Sequence, residues 1–241
     1  MACGQKHTVV ITRKGLYAWG LNSCGHLGKR TGRTQLIKNP IFINLPSRPL
    51  QVACGKEHTA VITERGLYTW GYNRYGQLGD GTTTRYIAST PKFIKLDKNP
   101  LQVACGDFFT VVITKEGFYS WGYGNDGQLG NGTQISSRVP VFTRLSNPLY
   151  VACGKDHTAV ITEKGLYTWG CGNDGQLGNG SFQSSSVPIR VNLRRPLQVA
   201  CGRSHTIAMT EKCIYGWGSN LFGESGTHGY LPSQIPRKFK H

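Results

Sequence analysis

Short runs of β-branched and apolar residues alternate with glycine-rich or charged turns from one end of the chain to the other. Residues 91–130 show the pattern, with the runs PKFIKL, LQVACG, FTVVIT and GFYSWG separated by turn residues and followed by a GQLG turn. Short, evenly spaced β-branched runs are typical of strands, and no segment has the apolar spacing of a helix. The pattern predicts an all-β fold with four strands in each unit.

The unit recurs along the whole chain. The tripeptide Ala-Cys-Gly returns at Cys3, Cys54, Cys105, Cys153 and Cys201, in steps of 51, 51, 48 and 48 residues. A Trp-Gly pair returns in the same four steps, at Trp19, Trp70, Trp121, Trp169 and Trp217. A period near 50 residues with four strands per unit predicts a β-propeller, in which these tryptophans fill the seams between blades.

We therefore expect one domain, residues 1–241, built from five four-stranded blades. The expected repeats are about 1–39, 40–90, 91–139, 140–187 and 188–235. The chain starts at Ala-Cys-Gly without the Pro-containing strand that precedes this motif later, and its last residues, IPRKFKH, align with TPKFIKL. Residues 236–241 are therefore predicted to pair into the N-terminal blade and close the ring. A fragment of a longer propeller is the alternative.

One turn carries the spacing of a dinucleotide-binding loop. Gly122, Gly124 and Gly127 match G-x-G-x-x-G, whose function requires a preceding strand and a following helix that holds the pyrophosphate at its N-terminus. Here QLGNGTQISSRVP follows, and the same segment returns from Trp169. We interpret it as a repeated turn, and we predict no cofactor.

Charge narrows the classes of partner. The chain has 28 Lys and Arg against 12 Asp and Glu, a formal net charge of +16. This excess favours acidic partners such as a nucleosome, nucleic acid, an anionic membrane surface or an acidic protein face, although a solvated basic surface has the same composition. One local concentration comprises Arg190, Arg194, Arg195 and Arg203. The chain has no apolar run long enough to span a membrane and no signal-peptide core.

The cysteine ladder raises the question of a disulfide or metal framework. Residues at equivalent positions of successive blades are expected to lie too far apart to bridge, so we interpret the thiols as small buried groups in a reducing compartment. A histidine follows four residues after the ladder cysteine in four repeats, and one Cys-His pair per blade is too few for a closed zinc site. We predict no metal, and we expect these histidines to bond a neighbouring backbone as scaffold residues: His7, His58, His157 and His205.

The complete unit reads P-x-x-I/V-x-L, then V-A-C-G-x-x-H-T-x-x-I-T-x-x-G-L-Y-x-W-G-x-N-x-x-G-Q-L-G. This pattern, recurring five times over essentially the whole chain, resembles the regulator of chromosome condensation repeat family. The resemblance implies a β-propeller related to an exchange factor for the small GTPase Ran that also docks on nucleosomes. Other members of that family regulate different GTPases, belong to ubiquitin ligases or act as interaction scaffolds.

The resemblance also implies where a partner would bind. In the exchange factor, acidic and histidine residues of the loops after the Ala-Cys-Gly motif touch the GTPase, and the matching contact candidates here are Asp107, Asp156, Glu57, Lys6 and Arg203. Two features of this chain differ from the founding member of that family. The founding member has seven blades, and a wedge inserted in one of its Trp-Gly turns presses into the GTPase, whereas all five turns here have one length.

The resulting hypothesis is a GTPase-binding exchange factor or regulator, with Ran as the first target. The alternative is a scaffold propeller that binds chromatin or another anionic surface without catalysis. Since the chain has no G-x-S-x-G elbow, no separate acid pair and no Cys-His-Asn set, we predict no covalent chemistry. We expect a monomer in the nucleus or cytosol; a secreted effector acting inside a host cell would have the same sequence features.

Overall fold

The computed structural model describes residues 1–31, 35–227 and 229–239, without the side chains of residues 84–87. Its strands form five four-stranded antiparallel sheets, and the strands of each sheet follow one another in chain order. The inner strands of all five sheets line one central cavity. The predicted all-β propeller with five four-stranded blades is confirmed.

The strands have the following bounds. Blade 1 contains β1 (Ala2–Cys3), β2 (His7–Thr12), β3 (Gly15–Leu21) and β4 (Leu36–Ile43). Blade 2 contains β5 (Pro49–Cys54), β6 (His58–Thr63), β7 (Gly66–Asn73) and β8 (Thr84–Ile94). Blade 3 contains β9 (Gln102–Cys105), β10 (Phe109–Ile113), β11 (Gly117–Gly122) and β12 (Ser137–Arg144). Blade 4 contains β13 (Pro148–Cys153), β14 (His157–Thr162), β15 (Gly165–Gly170) and β16 (Ser185–Arg190). Blade 5 contains β17 (Pro196–Cys201), β18 (His205–Thr210), β19 (Ile214–Gly218) and β20 (Ser233–Lys238).

The predicted closing strand is wrong. The strand β20 pairs with β19, with Gly216 opposite Arg237, and blade 1 is completed by its own strand β4. The Pro-containing strand therefore ends each blade and does not begin the next one, which shifts the expected repeat boundaries by one strand. The physical reason is that the free edge of the Trp strand is the nearest unpaired edge when the chain returns from the Trp-Gly turn. Residues 240–241 of the expected closing strand lie outside the described residues.

The blades share one orientation, which defines two faces. The loops that follow each Cys-Gly pair, together with the Trp-Gly turns, form what we call the loop face. Those loops are residues 4–6, 55–57, 106–108, 154–156 and 202–204. The hairpins between the second and third strands, and the connections between blades, form the opposite hairpin face.

The hydrophobic core lies between the blades. Each of its four clusters combines side chains of two successive blades, as when Phe109 and Phe118 of blade 3 pack with Val160 and Trp169 of blade 4. The rings of Phe118 and Trp169 stack with centroids 4.8 Å apart. Because each blade covers the faces of its neighbours, burial of the apolar side chains depends on stacking of the repeats.

Hydrogen bonds repeat at the same four seams. The indole Nε1–H of Trp121 donates to the carbonyl oxygen of Gln77 in the preceding blade, over 2.9 Å. The Oγ1–H of Thr110 donates to the same oxygen, over 3.0 Å. Equivalent indole bonds are made by Trp70, Trp169 and Trp217. These four tryptophans are fully buried, and a buried indole N–H needs a hydrogen-bond partner inside the core, which these carbonyl oxygens provide.

Blades 1 and 5 lack this packing on one face. The strands β6 and β14, both HTAVIT, are buried at every position, whereas burial alternates along β2 and along β18. Trp19 is partly exposed, and no hydrogen bond joins blade 5 to blade 1 among residues 1–31, 35–227 and 229–239. The seam network therefore has four junctions in the part of the chain that the structure describes.

The repeated turn at residues 122–127 leads from a strand into another strand. Gly127 N–H donates to the carbonyl oxygen of Gly124, and Gly130 N–H donates to that of Gly127. The described residues contain no helix at this point, in agreement with its interpretation as a turn. Nor do they contain any helix that is long and apolar enough to cross a membrane.

Candidate functional site

The loop face is organised around the mouth of the central cavity, whose volume is about 400 Å³. Its lip carries the first side chain after each Cys-Gly pair: Gln5, Lys56, Asp107, Lys155 and Arg203. The backbone fixes this arrangement, because the N–H of each of the first four residues donates to the carbonyl oxygen of the equivalent residue in the next blade, over 3.1 to 3.3 Å, and the series ends at the carbonyl oxygen of Arg203. The lip is therefore a rigid ring segment on which charge can be placed.

Three of the predicted contact residues meet here. Asp107 is partly buried, and burial raises the pKa of its carboxyl group. Lys56 opposes this rise in pKa, and the negative charge of Asp156 adds to it. Asp156 forms an ion pair with Lys155, with Nζ and Oδ2 2.7 Å apart, and its side chain is only 14% exposed. Arg203 acts on Asp107 from the next blade. The structure thus brings Asp107, Asp156 and Arg203 into one electrostatic group.

A third carboxylate of this group is absent from the sequence prediction. Asp126 lies in the Trp-Gly turn of blade 3, where burial and the charge of Asp156 raise its pKa. Burial, Asp126 and Asp156 also raise the pKa of the neighbouring Tyr123. Asp107 and Asp126 thus each lie within electrostatic range of Asp156 and of Lys155, and the three acids form a partly desolvated group on a chain of net charge +16.

Aromatic rings from two blades adjoin these acids. Tyr75 lies 5.1 Å from Phe108 and 5.2 Å from Tyr123 between ring centroids, and Tyr72 lies 5.9 Å from Phe108. All four rings are partly exposed, and Lys56 Nζ lies 5.2 Å from the centroid of Phe108. We call these four residues the aromatic cluster. Partly exposed tyrosine and phenylalanine beside charge are typical of the centres of protein interfaces. The sequence feature that could have predicted the aromatic cluster is the break in the repeat at Asp107-Phe-Phe109, where the other blades have a histidine.

The two remaining contact candidates lie elsewhere on the face. Glu57 is beside Cys24, and its charge adds to the effect of burial in raising the pKa of that thiol. Lys6 acts on the same thiol and on His26, at the seam of blades 1 and 2. Glu57 and Lys6 thus form a separate pair that the structure does not join to Asp107 and Asp156.

The repeated histidines connect blades. His7, His58 and His157 are buried, and each Nε2 lies 3.0 Å from a threonine Oγ1 of the next blade. The expected partner was a backbone group, so the partner was predicted incorrectly. The Oγ1–H of Thr59 donates to the carbonyl oxygen of His26. Thr59 must therefore accept the bond from His7, which donates from Nε2. Burial lowers the pKa of each of these three histidines to about 3, so their imidazoles are neutral at pH 7.

The thiol ladder lines the central cavity. All eight cysteines are free, and Cys3, Cys54, Cys105, Cys153 and Cys201 surround the same space. Burial raises the pKa of Cys105 and of Cys201 to about 12, so both are protonated thiols at neutral pH. No cluster of three or more His, Cys, Asp or Glu side chains able to hold a metal occurs within residues 1–31, 35–227 and 229–239.

We expect Asp107→Asn to stabilise the fold at pH 7. Because the folded-state pKa of Asp107 is raised, its ionised form costs stability at every pH above the ordinary value of 3.8, and the neutral amide removes that cost. Thermal unfolding at pH 7 checks this. The matched control is Asp156→Asn, which removes the partner of Lys155 and is expected to lower the midpoint. A lower midpoint for Asp107→Asn would show that this acid supports the fold.

Comparison with known families gives two matches. The model of the RCC1-like domain matches residues 37–241, and that of the regulator of chromosome condensation (RCC1) repeat matches residues 1–25. Together the two matches include nearly the whole chain and all five blades.

Curated relatives align over part of the chain. Human E3 ubiquitin-protein ligase HERC2 is 35% identical over 147 residues, which is 58% of this chain and 3% of HERC2. The ultraviolet-B receptor UVR8 of Arabidopsis thaliana is 33% identical over 143 residues, or 58% of this chain and 32% of UVR8. This chain therefore spans a third or less of the length of these relatives.

Solved structures align over the whole chain. Human WBSCR16 superposes with a TM-score of 0.88 at 26% identity, covering 99% of this chain and 66% of WBSCR16. Prp20p of Saccharomyces cerevisiae, studied with its binding to Gsp1p and histones, superposes with a TM-score of 0.84 at 22% identity. That superposition covers 98% of this chain and 62% of Prp20p. At that identity the likeness to Prp20p shows the fold alone.

Proposed function

Because this chain belongs to the RCC1-like domain family, we propose that it binds a small GTPase through its loop face and accelerates release of the bound nucleotide. A Ran-like GTPase is the first target. One observation carries the proposal: the partly buried acids Asp107, Asp126 and Asp156 lie beside the aromatic cluster on the loop face. A positively charged element of a partner would find both charge and contact area there.

The raised pKa values of Asp107 and Asp126 support this choice of surface. A carboxylate that loses hydration and faces other carboxylates gains more from an incoming cation than a fully solvated one does. Lys155 and Arg203 offset part of the negative charge in the free protein. A partner's lysine or arginine would complete the neutralisation, and the aromatic cluster would pack around its aliphatic stem.

The proposed mechanism makes and breaks no covalent bond. GTPases hold their nucleotide through Mg²⁺ and a phosphate-binding loop with its lysine. If Asp107 and Asp156 hold that lysine or a neighbouring basic helix, the phosphate contacts are lost and the nucleotide dissociates. Acceleration requires that the loop face bind the nucleotide-free conformation more tightly than the loaded one, since only differential affinity shifts an equilibrium.

The second candidate function is a scaffold propeller without exchange activity. The observation that favours it is the equality of the five Trp-Gly turns, in which the same pair of backbone hydrogen bonds recurs, from Gly25 and Gly28 to Gly223 and Gly226. No turn carries the inserted wedge of the exchange factor. Scaffold binding to chromatin or another anionic surface would use the net charge of +16 and would weaken steeply with salt.

The test is release of a fluorescent GDP analogue from a panel of small GTPases that includes Ran. The chain is added as the natural sequence, as Asp107→Ala and as Asp156→Ala. Asp97→Ala serves as the matched control, because Asp97 is an exposed acid in the connection between β8 and β9 on the hairpin face. We expect one GTPase to lose nucleotide faster, and we expect both loop-face substitutions, but not the control, to remove this effect.

The outcomes separate the two candidates. If Asp97→Ala reduced the acceleration of nucleotide release as much as Asp107→Ala does, the GTPase contact would lie away from the loop face. Absence of acceleration for every GTPase would reject exchange activity. In that case, direct binding of the nucleotide-free GTPases, measured by calorimetry, distinguishes a GTPase-binding scaffold from one that binds other partners.

A further inference from the structure

A second cavity lies on the hairpin face, between blades 4 and 5, and it carries an excess of positive charge. Its volume is about 680 Å³. Four basic side chains line it, together with one acidic side chain, Glu163: Lys164, Arg190, Arg194 and Arg195. The cavity is on the opposite side of the blades from the lip, so it does not depend on the proposed GTPase contact.

The other blades show what is unusual here. A tyrosine of the third strand faces a phenylalanine of the fourth in each of blades 1 to 3, with centroids 5.1 to 5.5 Å apart. The partner of Tyr167 in blade 4 is Arg190 instead. The equivalent cavities of blades 1 and 2 have volumes of about 350 and 330 Å³, about half that of blade 4. In blade 4 a cation beside a larger space takes the place of the partly exposed phenylalanine of the aromatic pair.

The side chain of Arg190 lies over the hairpin of blade 4. A Cβ added to Gly165 would lie 3.4 Å from Arg190 Nε, whereas the same addition to Gly66 would lie 2.9 Å from the ring of Phe93. The guanidinium of Arg190 therefore occupies the place of the ring, over the hairpin that forms the cavity wall. The Arg190 side chain is exposed, and it lines the cavity from this position.

The loop between blades 4 and 5 contributes the guanidinium groups of Arg194 and Arg195, and the backbone is strained at Arg195. Arg195 has φ of +46°, a left-handed conformation that side chains other than Gly and Asn rarely adopt, least of all before a proline. Asn147 has the same φ before Pro148 at the equivalent position of the preceding connection. An arginine in the strained conformation that Asn147 adopts in the preceding connection points to a requirement for its side chain.

No ion pair joins these cations to an acid within residues 1–31, 35–227 and 229–239. The carboxylate of Glu163 accepts a hydrogen bond from Asn147 Nδ2 over 2.9 Å. The three ion pairs found among the described residues involve Asp80, Glu116 and Asp156, none of which lines this cavity. With four positive charges against one negative, the cavity has a formal charge of +3.

We propose that this cavity binds a small molecule that carries several phosphate groups. Guanidinium forks pair with phosphate oxygens through two parallel hydrogen bonds, and Lys164 adds a point charge. The cavity has the volume of a small-molecule site, and a ligand with about three negative charges would neutralise it. The charge and the volume of the cavity therefore favour a compact polyphosphate group over a single carboxylate.

The probe is inorganic tripolyphosphate, titrated into the whole chain by calorimetry at about 150 mM salt. The test variant is Arg190→Phe/Arg194→Ser/Arg195→Asn, which introduces residues that other blades have at these positions, as in Phe93, Ser146 and Asn147. The control variant is Arg13→Ser/Lys14→Ser/Arg48→Asn, at the equivalent cavity of blade 1. Both variants carry the same net charge, 16 − 3 = +13.

We expect one tripolyphosphate per chain and an affinity at least about tenfold weaker in the test variant, with little change in the control. Thermal unfolding without the probe verifies that both variants fold. The proposal is overturned if the natural chain does not bind the probe under these conditions. Equal weakening in both variants, or several probe molecules per chain, would likewise reject it, because total charge would then account for binding.

Discussion

Replacement of Trp121 by alanine is expected to lower the free energy of unfolding by about 3–5 kcal/mol. The indole is fully buried between blades 2 and 3, so truncation leaves a cavity that the surrounding strands cannot fill. It also removes the hydrogen bond to the carbonyl oxygen of Gln77, to which Thr110 still donates. Chemical denaturation monitored by far-ultraviolet circular dichroism measures the change.

The same substitution at Trp19 is the matched control. Trp19 has the equivalent place in the repeat, but it is partly exposed, and its indole has no hydrogen-bond partner among the described residues. Trp19→Ala should therefore cost much less than Trp121→Ala. Equal losses at the two positions would contradict the view that stability comes from the seams, and would show that tryptophan acts within its own blade.

Lowering the pH from 7 to 5 is expected to destabilise the fold by about 2 kcal/mol for each buried seam histidine. The folded-state pKa of His7, His58 and His157 is about 3, against an ordinary value of 6.5. Below pH 6.5 the unfolded chain therefore binds protons that the folded chain cannot accept. The stability is complete above pH 6.5 and is lost progressively as the pH falls from 6.5 towards 3. The three losses together approach the whole stability of an ordinary domain.

Denaturant unfolding at a series of pH values measures this dependence, and His58→Phe provides the control. Phenylalanine stands at the equivalent position of blade 3, where Phe109 is fully buried, so the seam accommodates the ring. The variant loses the bond to Thr110, yet its stability should fall by about 2 kcal/mol less than that of the natural chain between pH 7 and pH 5. An unchanged pH dependence would mean that His58 is protonated in the folded state.

The repeat made most of the strands predictable. Identical strings such as HTAVIT recur at the same distance from Cys-Gly and Trp-Gly pairs, so each copy must adopt the same local structure. The placement of the Pro-containing strand failed for a physical reason. It lies between a Trp strand and the next inner strand in the chain, and periodicity alone cannot say which edge it pairs with. The register with the Trp strand decides that question.

The candidate site was predictable in part. Asp107 and Asp156 were found because both follow a repeated Cys-Gly pair, and the ends of the inner strands meet at the central cavity. Asp126 and Tyr75 escaped prediction, since they come from Trp-Gly turns and reach the same acids only by folding of the blades. The basic cavity of blades 4 and 5 was visible in sequence only as a local density of arginine.

The sequence by itself determined the number of repeats, the four short strands in each and the residues that occupy the seams, because these depend on local pattern and on period. Only the tertiary structure decided the burial and the side-chain partners of each copy. The strand HTAVIT of blades 2 and 4 is buried along its whole length, while HTVVIT of blade 1 alternates between buried and exposed positions. Burial, the pKa of a seam histidine and the partner of Arg190 all depend on the neighbouring blade or strand, which a repeat unit cannot encode alone.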